Sequence, residues 1–511
     1  MLDRFYFFIV ATLDKVIWIL DVGPSVHKLF LSPQVGNFRV GLGKIRAARL
    51  YRNAVKKVPA YTHFIGLFSE VNGPIVKRWT ARLNDVPEMD KESYIKQYYL
   101  TDKLWGGVLP SDGVMFDESS GSSGVPTSWV RGPRERRFTQ RIMQVAFEHF
   151  IGKRDPIVIN TFSMGAWATG MNTTLCLVGV SRIKSIGPDV VKVVNTLKEL
   201  GSDYEYVIAG YPPFLKMLTE QKEIDWNKYK IAAIFGGEGI SEQMRASLLH
   251  YYTDVVGSYG ASDLEINIAH ENKFTIALRQ AIVADETLRS ELLQQKRGII
   301  PSIFQYNPYD YLFETSELGE LVVTICRLDN LSPRIRYNIH DLGHAEHFYH
   351  LKKRLQELGY GHIAELAELD FGVLFHYGRS DLSVDYNGAV VGPEEVKQII
   401  SAKYSYANII ENFRLISYED ANSRKHLMFA IELLKDKVAS DINAQELLEY
   451  IVTQLQALNL DFKSAYSTAQ LKPEIKVYSY RTGIFDAEHQ KLKNDYIWNI
   501  DCQRAKKEAI I

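Results

Sequence analysis

The chain has 511 residues, 46% hydrophobic and 24% charged, and its 60 Lys and Arg against 61 Asp and Glu leave a formal net charge of -1. That balance excludes a disordered chain and gives no global field to recruit nucleic acid or an anionic membrane. The length exceeds one core and asks for two to four domains.

Three cysteines, Cys176, Cys326 and Cys502, lie far apart with no Cys-x-x-Cys pair, so neither a zinc knuckle nor a disulfide framework is indicated. A reducing, cytoplasmic compartment suits that usage. At the N-terminus, Phe5 to Val10 and Val16 to Leu20 are apolar and are interrupted by Asp14 and Lys15. Neither run is long enough to span a bilayer, and no basic region precedes a small-residue cleavage site. An amphipathic or buried helix is expected, with peripheral membrane contact through residues 1–20 as the alternative. Residues 44–57 carry apolar residues at helical spacing with basic residues between them, and Val58-Pro59-Ala60-Tyr61 ends that helix.

Val114-Met115-Phe116 reads as a strand end running into Ser119-Ser120-Gly121-Ser122-Ser123-Gly124-Val125-Pro126-Thr127. Small residues bring amide N–H groups and hydroxyls close to an oxyanion, and they also make a flexible linker. No Gly-Lys-Ser/Thr closes the loop, so it is not a Walker A loop. From Trp129 to Arg141 come Arg131, Arg134, Arg136, Arg137 and Arg141, broken by Glu135. A solvated helix start is expected here, because a nucleic-acid patch needs wider basicity and interleaved aromatics.

From 156 to 326, short apolar runs alternate with helical segments: Pro156 to Ile159, Tyr206 to Gly210, Ile231 to Gly236. Such runs read as buried parallel strands of α/β units. Leu318 to Thr324 is a further strand after a turn. A boundary falls near Gly378. Beyond it lie a turn at Asn387-Gly388, a helix opened by Pro393-Glu394-Glu395, strands at Arg414–Ile416 and His426–Glu432, and a helix from Asn443 to Leu458. The expected class is α/β. A large N-terminal domain (44–377) of mixed and parallel sheets with helices follows a helical extension (1–43) and precedes a small mobile α+β C-terminal domain (378–511).

Beyond the 119–124 loop, five motifs stand in a fixed order: Ile234-Phe235-Gly236-Gly237-Glu238 after a strand; Ser258-Tyr259-Gly260-Ala261-Ser262-Asp263 after Val255-Val256-Gly257; Arg336-Tyr337-Asn338-Ile339-His340-Asp341-Leu342-Gly343; Gly378-Arg379-Ser380-Asp381-Leu382 at the boundary; and the pair Lys491 and Lys493 near the end. This order resembles the adenylate-forming superfamily of acyl-CoA synthetases and adenylation domains, and within it the phenylacetate–CoA ligase branch. The resemblance covers most of residues 44–500.

The resemblance implies ATP-dependent activation of a carboxylate through an acyl-adenylate, followed by transfer to a thiol of coenzyme A or of carrier-protein phosphopantetheine. Ser119, Ser120, Gly121, Ser122, Ser123 and Gly124 would cradle the phosphates. Gly236, Gly237, Glu238, Tyr259 and Gly260 would hold adenine, with the Tyr259 ring as a flat face. Ser262 would meet the α-phosphate, Asp263 would hold Mg²⁺, and Asp341 and Arg379 would bind ribose. Lys491 would stabilise the charge that develops at the α-phosphate, with Lys493 and Lys472 as alternatives. Asp381 would be the hinge. Phe162, Trp167, Met171 and Phe235 would line a pocket for an aryl or apolar acid.

Each residue also has a plainer reading. Asp263 could cap a helix through Leu264, Ile266 and Ile268. Tyr259 could be core, Asp341 a turn residue, and Arg379 with Asp381 a surface pair. Three departures from the family pattern matter. Val125 stands where the phosphate loop usually has lysine, Asp263 replaces glutamate, and His340 stands beside the ribose acceptor, where a satisfied structural histidine is expected. Passing the adenylate to an amine or protein, and a degenerate nucleotide binder, remain alternatives. The expected partner is a small-molecule carboxylate, with an acyl or aryl carrier protein as the alternative acceptor to coenzyme A, and no nucleic acid.

Overall fold

The computed structural model describes residues 2–20, 36–72, 83–119, 127–237, 239–240, 242–293, 300–379, 383–420, 424–490, 496–500, 502–508 and 510. Apart from two short segments, the chain up to Gly378 forms one compact unit and the chain from Arg379 onward forms another.

In the first unit a short ribbon pairs β1 (Met115–Ser119) with β2 (Thr127–Arg131). The main sheet is built from β3 (Ile157–Asn160), β4 (Arg182–Ser185), β5 (Glu205–Gly210), β6 (Lys230–Gly236), β7 (Val255–Tyr259), β8 (Ala269–His270), β9 (Ser302–Tyr306), β10 (Tyr311–Thr315), β11 (Glu320–Ile325), β12 (Tyr337–Glu346) and β13 (Gly372–Arg379). Their order is β10-β11-β12-β13-β9-β8-β7-β6-β5-β3-β4. The run β7-β6-β5-β3-β4 is parallel throughout. Its inner strands are almost continuously apolar because helices cover both faces: Val158, Ile159, Ile208, Ile231 and Ala233 are fully buried. From β8 onward the pairings of known direction are antiparallel. The parallel reading therefore holds for the first half of the sheet, while the strand expected at 318–324 belongs to the antiparallel half. The two halves join at β7 and β8, and the candidate site is built around that seam.

The N-terminal helix Leu2–Leu20 is tied to the helix Gly36–Lys57 by charge: Asp14 meets Arg46 Nε at 3.0 Å and Arg49 at 2.7 Å. Val10 is buried, whereas Phe5 is 60% and Phe8 69% exposed, so the helix is amphipathic. The second helix runs through position 44, and the boundary expected at 43/44 falls inside it. Among the described residues no helix is long and apolar enough to cross a membrane.

In the second unit, β14 (Val384–Tyr386) and β15 (Ala389–Val391) form a hairpin turning at Asn387 and Gly388, both with positive φ (50° and 85°), as that turn requires. Four further strands, β16 (Ile410–Glu419), β17 (Lys425–Leu433), β18 (Glu474–Tyr478) and β19 (Ile497–Ile500), stand in the order β18-β17-β16-β19. The helices Pro393–Ala402 and Ala444–Leu458 bury Val396, Leu447 and Ile451 with Leu415, Phe429 and Ile431 of the sheet. Asn443 caps the longer helix by accepting from the Glu446 N–H at 3.2 Å.

Candidate nucleotide site

β7 ends at Tyr259, and the chain then folds into consecutive turns instead of a helix. A side chain at Gly260 would put its Cβ 2.6 Å from Asn267 N and 2.7 Å from Glu265 O, both backbone atoms, so only glycine permits this doubling back. Leu264 and Ile268 are buried from within the turns, and Asp263 caps no helix.

Buried arginines hold the turn from behind. Arg131, on β2, reaches Ser262 O at 2.5 Å and Leu264 O at 2.6 Å while pairing with Asp117 and Glu135 at 3.0 Å each. Its expected place in a solvated helix start is thereby corrected: Arg131 and Glu135 are both buried, because the guanidinium satisfies turn carbonyls that no secondary structure occupies. Only Arg134 and Arg137 of that run are exposed. Arg334 donates to Asp263 O at 2.7 Å.

The Tyr259 hydroxyl donates to Asp341 Oδ2 at 2.7 Å, joining the end of β7 to β12. His376 of β13 lies with Nε2 3.2 Å from the same oxygen. The Tyr259 ring stacks on Phe304 at 5.5 Å between centroids and meets the His376 ring at 5.0 Å. Asp341 is thus a buried carboxylate on a strand, not a turn residue. His376 carries no sequence signal; only the sheet order that sets β13 beside β12 reveals it.

Asp263 is tied to the same strand, β12, through Tyr337. Its Oδ2 accepts from the Tyr337 hydroxyl at 2.8 Å, and its Oδ1 stands 3.9 Å from Lys91 Nζ. Among the described residues no group of three or more His, Cys, Asp or Glu could cage a metal. A single partly exposed carboxylate instead fits Mg²⁺ that draws its other oxygens from phosphate and water.

His340 precedes Asp341 with φ of 60°, a left-handed conformation uncommon outside glycine, though histidine is among the side chains that adopt it more readily. Its Nε2 is 3.5 Å from Asp90 and its Nδ1 3.3 Å from Glu320, and Asn338 accepts its N–H at 2.8 Å. The hydrogen bond to Asp90 and the Glu320 carboxylate raise its pKa from 6.5 to about 9. A raised folded-state value stabilises the fold fully below pH 6.5, and that contribution is lost as pH climbs through about 9. Thermal unfolding between pH 7 and 10 is therefore expected to show a fall in stability that His340→Asn, which tolerates the same backbone, flattens. An unchanged pH profile in His340→Asn would contradict it.

Of the remaining expected residues, Gly236 ends β6, and Gly237 follows with φ of 87°, where a Cβ would lie 2.8 Å from the Tyr211 ring. Phe162 and Phe235 are buried, with Phe162 edge-on to Tyr211 at 5.1 Å, and Gly257 leaves room for Phe235. Trp167 and Met171 are half-buried, and Trp167 bridges to Glu118. Lys472 is exposed, with Nζ on Tyr466 O at 2.5 Å. Gly121, Ser120, Ser122, Ser123, Gly124, Glu238, Asp381, Lys491 and Lys493 lie outside the described residues, as do the side chains of Ser119 and Arg379.

No protein-family model matches the chain. No curated protein matches it by sequence either. Its fold is that of the adenylate-forming ligases. Among solved structures, 2-hydroxyisobutyryl-CoA ligase in complex with 2-HIB-AMP and CoA, in the thioesterification state, superposes with a TM-score of 0.62 at 12% identity, over 94% of this chain and 93% of that one. A weaker likeness, TM-score 0.42 at 13% identity, links 71% of the chain to 65% of o-succinylbenzoate CoA synthetase from Bacillus subtilis.

Proposed function

We propose that the protein activates a carboxylic acid with ATP and passes the acyl group to a thiol. The observation that carries this reading is the Tyr259–Asp341 hydrogen bond of 2.7 Å, which brings together two motifs 82 residues apart, while Tyr337 of the same strand holds Asp263. In the first step a carboxylate oxygen attacks the α-phosphorus, and the bond to pyrophosphate breaks. In the second a thiolate attacks the acyl carbon of the mixed anhydride, and AMP leaves. The thiol is that of coenzyme A or of a carrier protein's phosphopantetheine.

Within this reading Asp341 accepts the ribose hydroxyls, aided by Arg379, and Tyr259 with the Gly236-Gly237-Glu238 and Gly260 backbone borders adenine. Ser119 to Gly124 and Ser262 receive phosphate oxygens. Asp263 would hold Mg²⁺, which neutralises phosphate charge when bound. Lys491 serves the first step, and Asp381 is the hinge of the smaller unit. Phe162, Trp167, Met171 and Phe235 offer apolar and aromatic surface, which favours an aryl or apolar acid. Free, buried Cys176 and Cys326 suit a reducing, cytoplasmic setting.

The test is pyrophosphate release from Mg-ATP with a panel of aryl, fatty and amino acids, followed by mass detection of a coenzyme A thioester. Release with one acid class and the matching thioester is the expected result. ATP binding without release for any acid would leave a nucleotide-binding homologue.

A further inference from the structure

β13 lies between β12 and β9 in the main sheet, and its side chains alternate between two cores. Val373, Phe375 and Tyr377 pack into one, whereas Leu374 joins Tyr259, Phe304 and Ile339 in the other. His376 is the next position on the Leu374 face. Packing alone asks for an apolar residue there, but the histidine meets a carboxylate. Its Nε2 stands 3.2 Å from Asp341 Oδ2, with the His376 side chain 18% and the Asp341 side chain 10% exposed. At that distance the ring nitrogen turns an N–H toward the oxygen, because two acceptors would repel each other.

The contact closes a frame around one carboxylate oxygen. The Tyr259 hydroxyl donates to the same Oδ2 at 2.7 Å. The Tyr259 ring meets the His376 ring at 5.0 Å and stacks on Phe304 at 5.5 Å. The register of β13 with β9 sets Leu374 opposite Phe304 and His376 opposite Ser302, so the ring that holds Tyr259 and the ring that meets Asp341 are placed by the same strand pair. The last torsion of an aspartate is broad and soft, so the plane of its carboxylate is set by the groups around it. Here those groups stand on strands, which fix a side chain more closely than loops do.

We propose that His376 is a positioning residue for sugar recognition: by meeting Asp341 Oδ2 it fixes the plane of the carboxylate that reads the ribose hydroxyls. The proposal rests on the ribose reading of Asp341 given above. It adds a residue outside the five motifs and predicts an effect confined to the sugar.

The experiment is calorimetric titration of the full chain, in Mg²⁺ buffer, with ATP and separately with 2′,3′-dideoxy-ATP, for the wild type, His376→Ala and His376→Gln. The wild type is expected to bind ATP at least about tenfold more tightly than the dideoxy nucleotide, since hydrogen bonds to a charged acceptor are lost with the hydroxyls. His376→Ala should weaken ATP binding by about tenfold and leave dideoxy-ATP binding unchanged, so the preference shrinks. His376→Gln, whose amide N–H points to the same oxygen, should recover most of it. Unchanged ATP binding in His376→Ala would overturn the proposal and leave the ribose reading standing. An equal loss for both nucleotides would also overturn it, because His376 would then support the fold and not the sugar contact. A wild type that binds both nucleotides equally would defeat the ribose reading of Asp341 and the proposal with it, and one that binds neither would defeat the nucleotide reading as a whole.

Discussion

Asp341→Ala is expected to lower acid-dependent pyrophosphate release by at least about a hundredfold in kcat/KM, since each hydrogen bond to a charged acceptor is worth roughly a factor of ten or more. The carboxylate is buried on β12 and already accepts from the Tyr259 hydroxyl at 2.7 Å, with His376 Nε2 at 3.2 Å. Removing it withdraws the proposed ribose acceptor, and it also leaves a buried tyrosine hydroxyl and an imidazole without the partner that orients them. Tyr259 then loses the tether that holds its ring against Phe304 at 5.5 Å. Asp341→Asn keeps the shape and one acceptor oxygen, so it should retain more activity than alanine. Equal release from the wild type and Asp341→Ala, at saturating and limiting ATP, would remove Asp341 from the site.

Glu265→Ala is expected to cost the larger unit about 1–3 kcal/mol, because Arg327, Asn330 and the Tyr311 hydroxyl lose a buried acceptor while Arg327 keeps its ion pair with Asp329 at 3.1 Å. Glu265 and Arg327 form an ion pair with both side chains only 2% exposed. Its Oε2 accepts from the Tyr311 hydroxyl at 2.6 Å, and its Oε1, which faces Arg327, also accepts from Asn330 Nδ2 at 3.1 Å. Arg327 is further packed over the Phe138 ring at 3.6 Å. Because Glu265 lies in the same turns as Ser262 and Asp263, its loss should loosen the candidate site as well as the core. Denaturant unfolding of Glu265→Ala, compared with the double variant Glu265→Ala/Arg327→Met, checks this. The double variant should regain none of the stability, since removing the guanidinium also breaks its ion pair with Asp329. A single variant as stable as the wild type would show the pair to be dispensable.

The sheet's parallel half is legible in the sequence because strands buried on both faces must be apolar throughout, as Ile157-Val158-Ile159 and Ile231-Ala232-Ala233 are. Tyr259, Asp263 and Asp341 are legible because each stands in a short motif near the end or within a strand, flanked by glycine where the chain must turn. Arg131 is not: a basic residue in a basic run looks solvated, and only the fold reveals that its guanidinium is spent on the carbonyls of Ser262 and Leu264. The helix suggested after Asp263 fails for a related reason. Leu264 and Ile268 mimic helical spacing, yet Gly260 doubles the chain back so that both reach the core from turns. His376 and Lys91 come from segments far along the chain from the residues they meet, and sequence spacing holds no trace of either contact.

The most direct measurement follows an oxygen atom. The carboxylate substrate identified from the acid panel, labelled with oxygen-18 in both oxygens, is turned over with ATP, Mg²⁺ and coenzyme A, and the products are weighed by mass spectrometry. One oxygen-18 in the AMP phosphate, with the other kept in the thioester, is expected, because the carboxylate oxygen that attacks the α-phosphorus leaves with it. Label in inorganic phosphate, or AMP carrying none, would contradict activation through an acyl-adenylate.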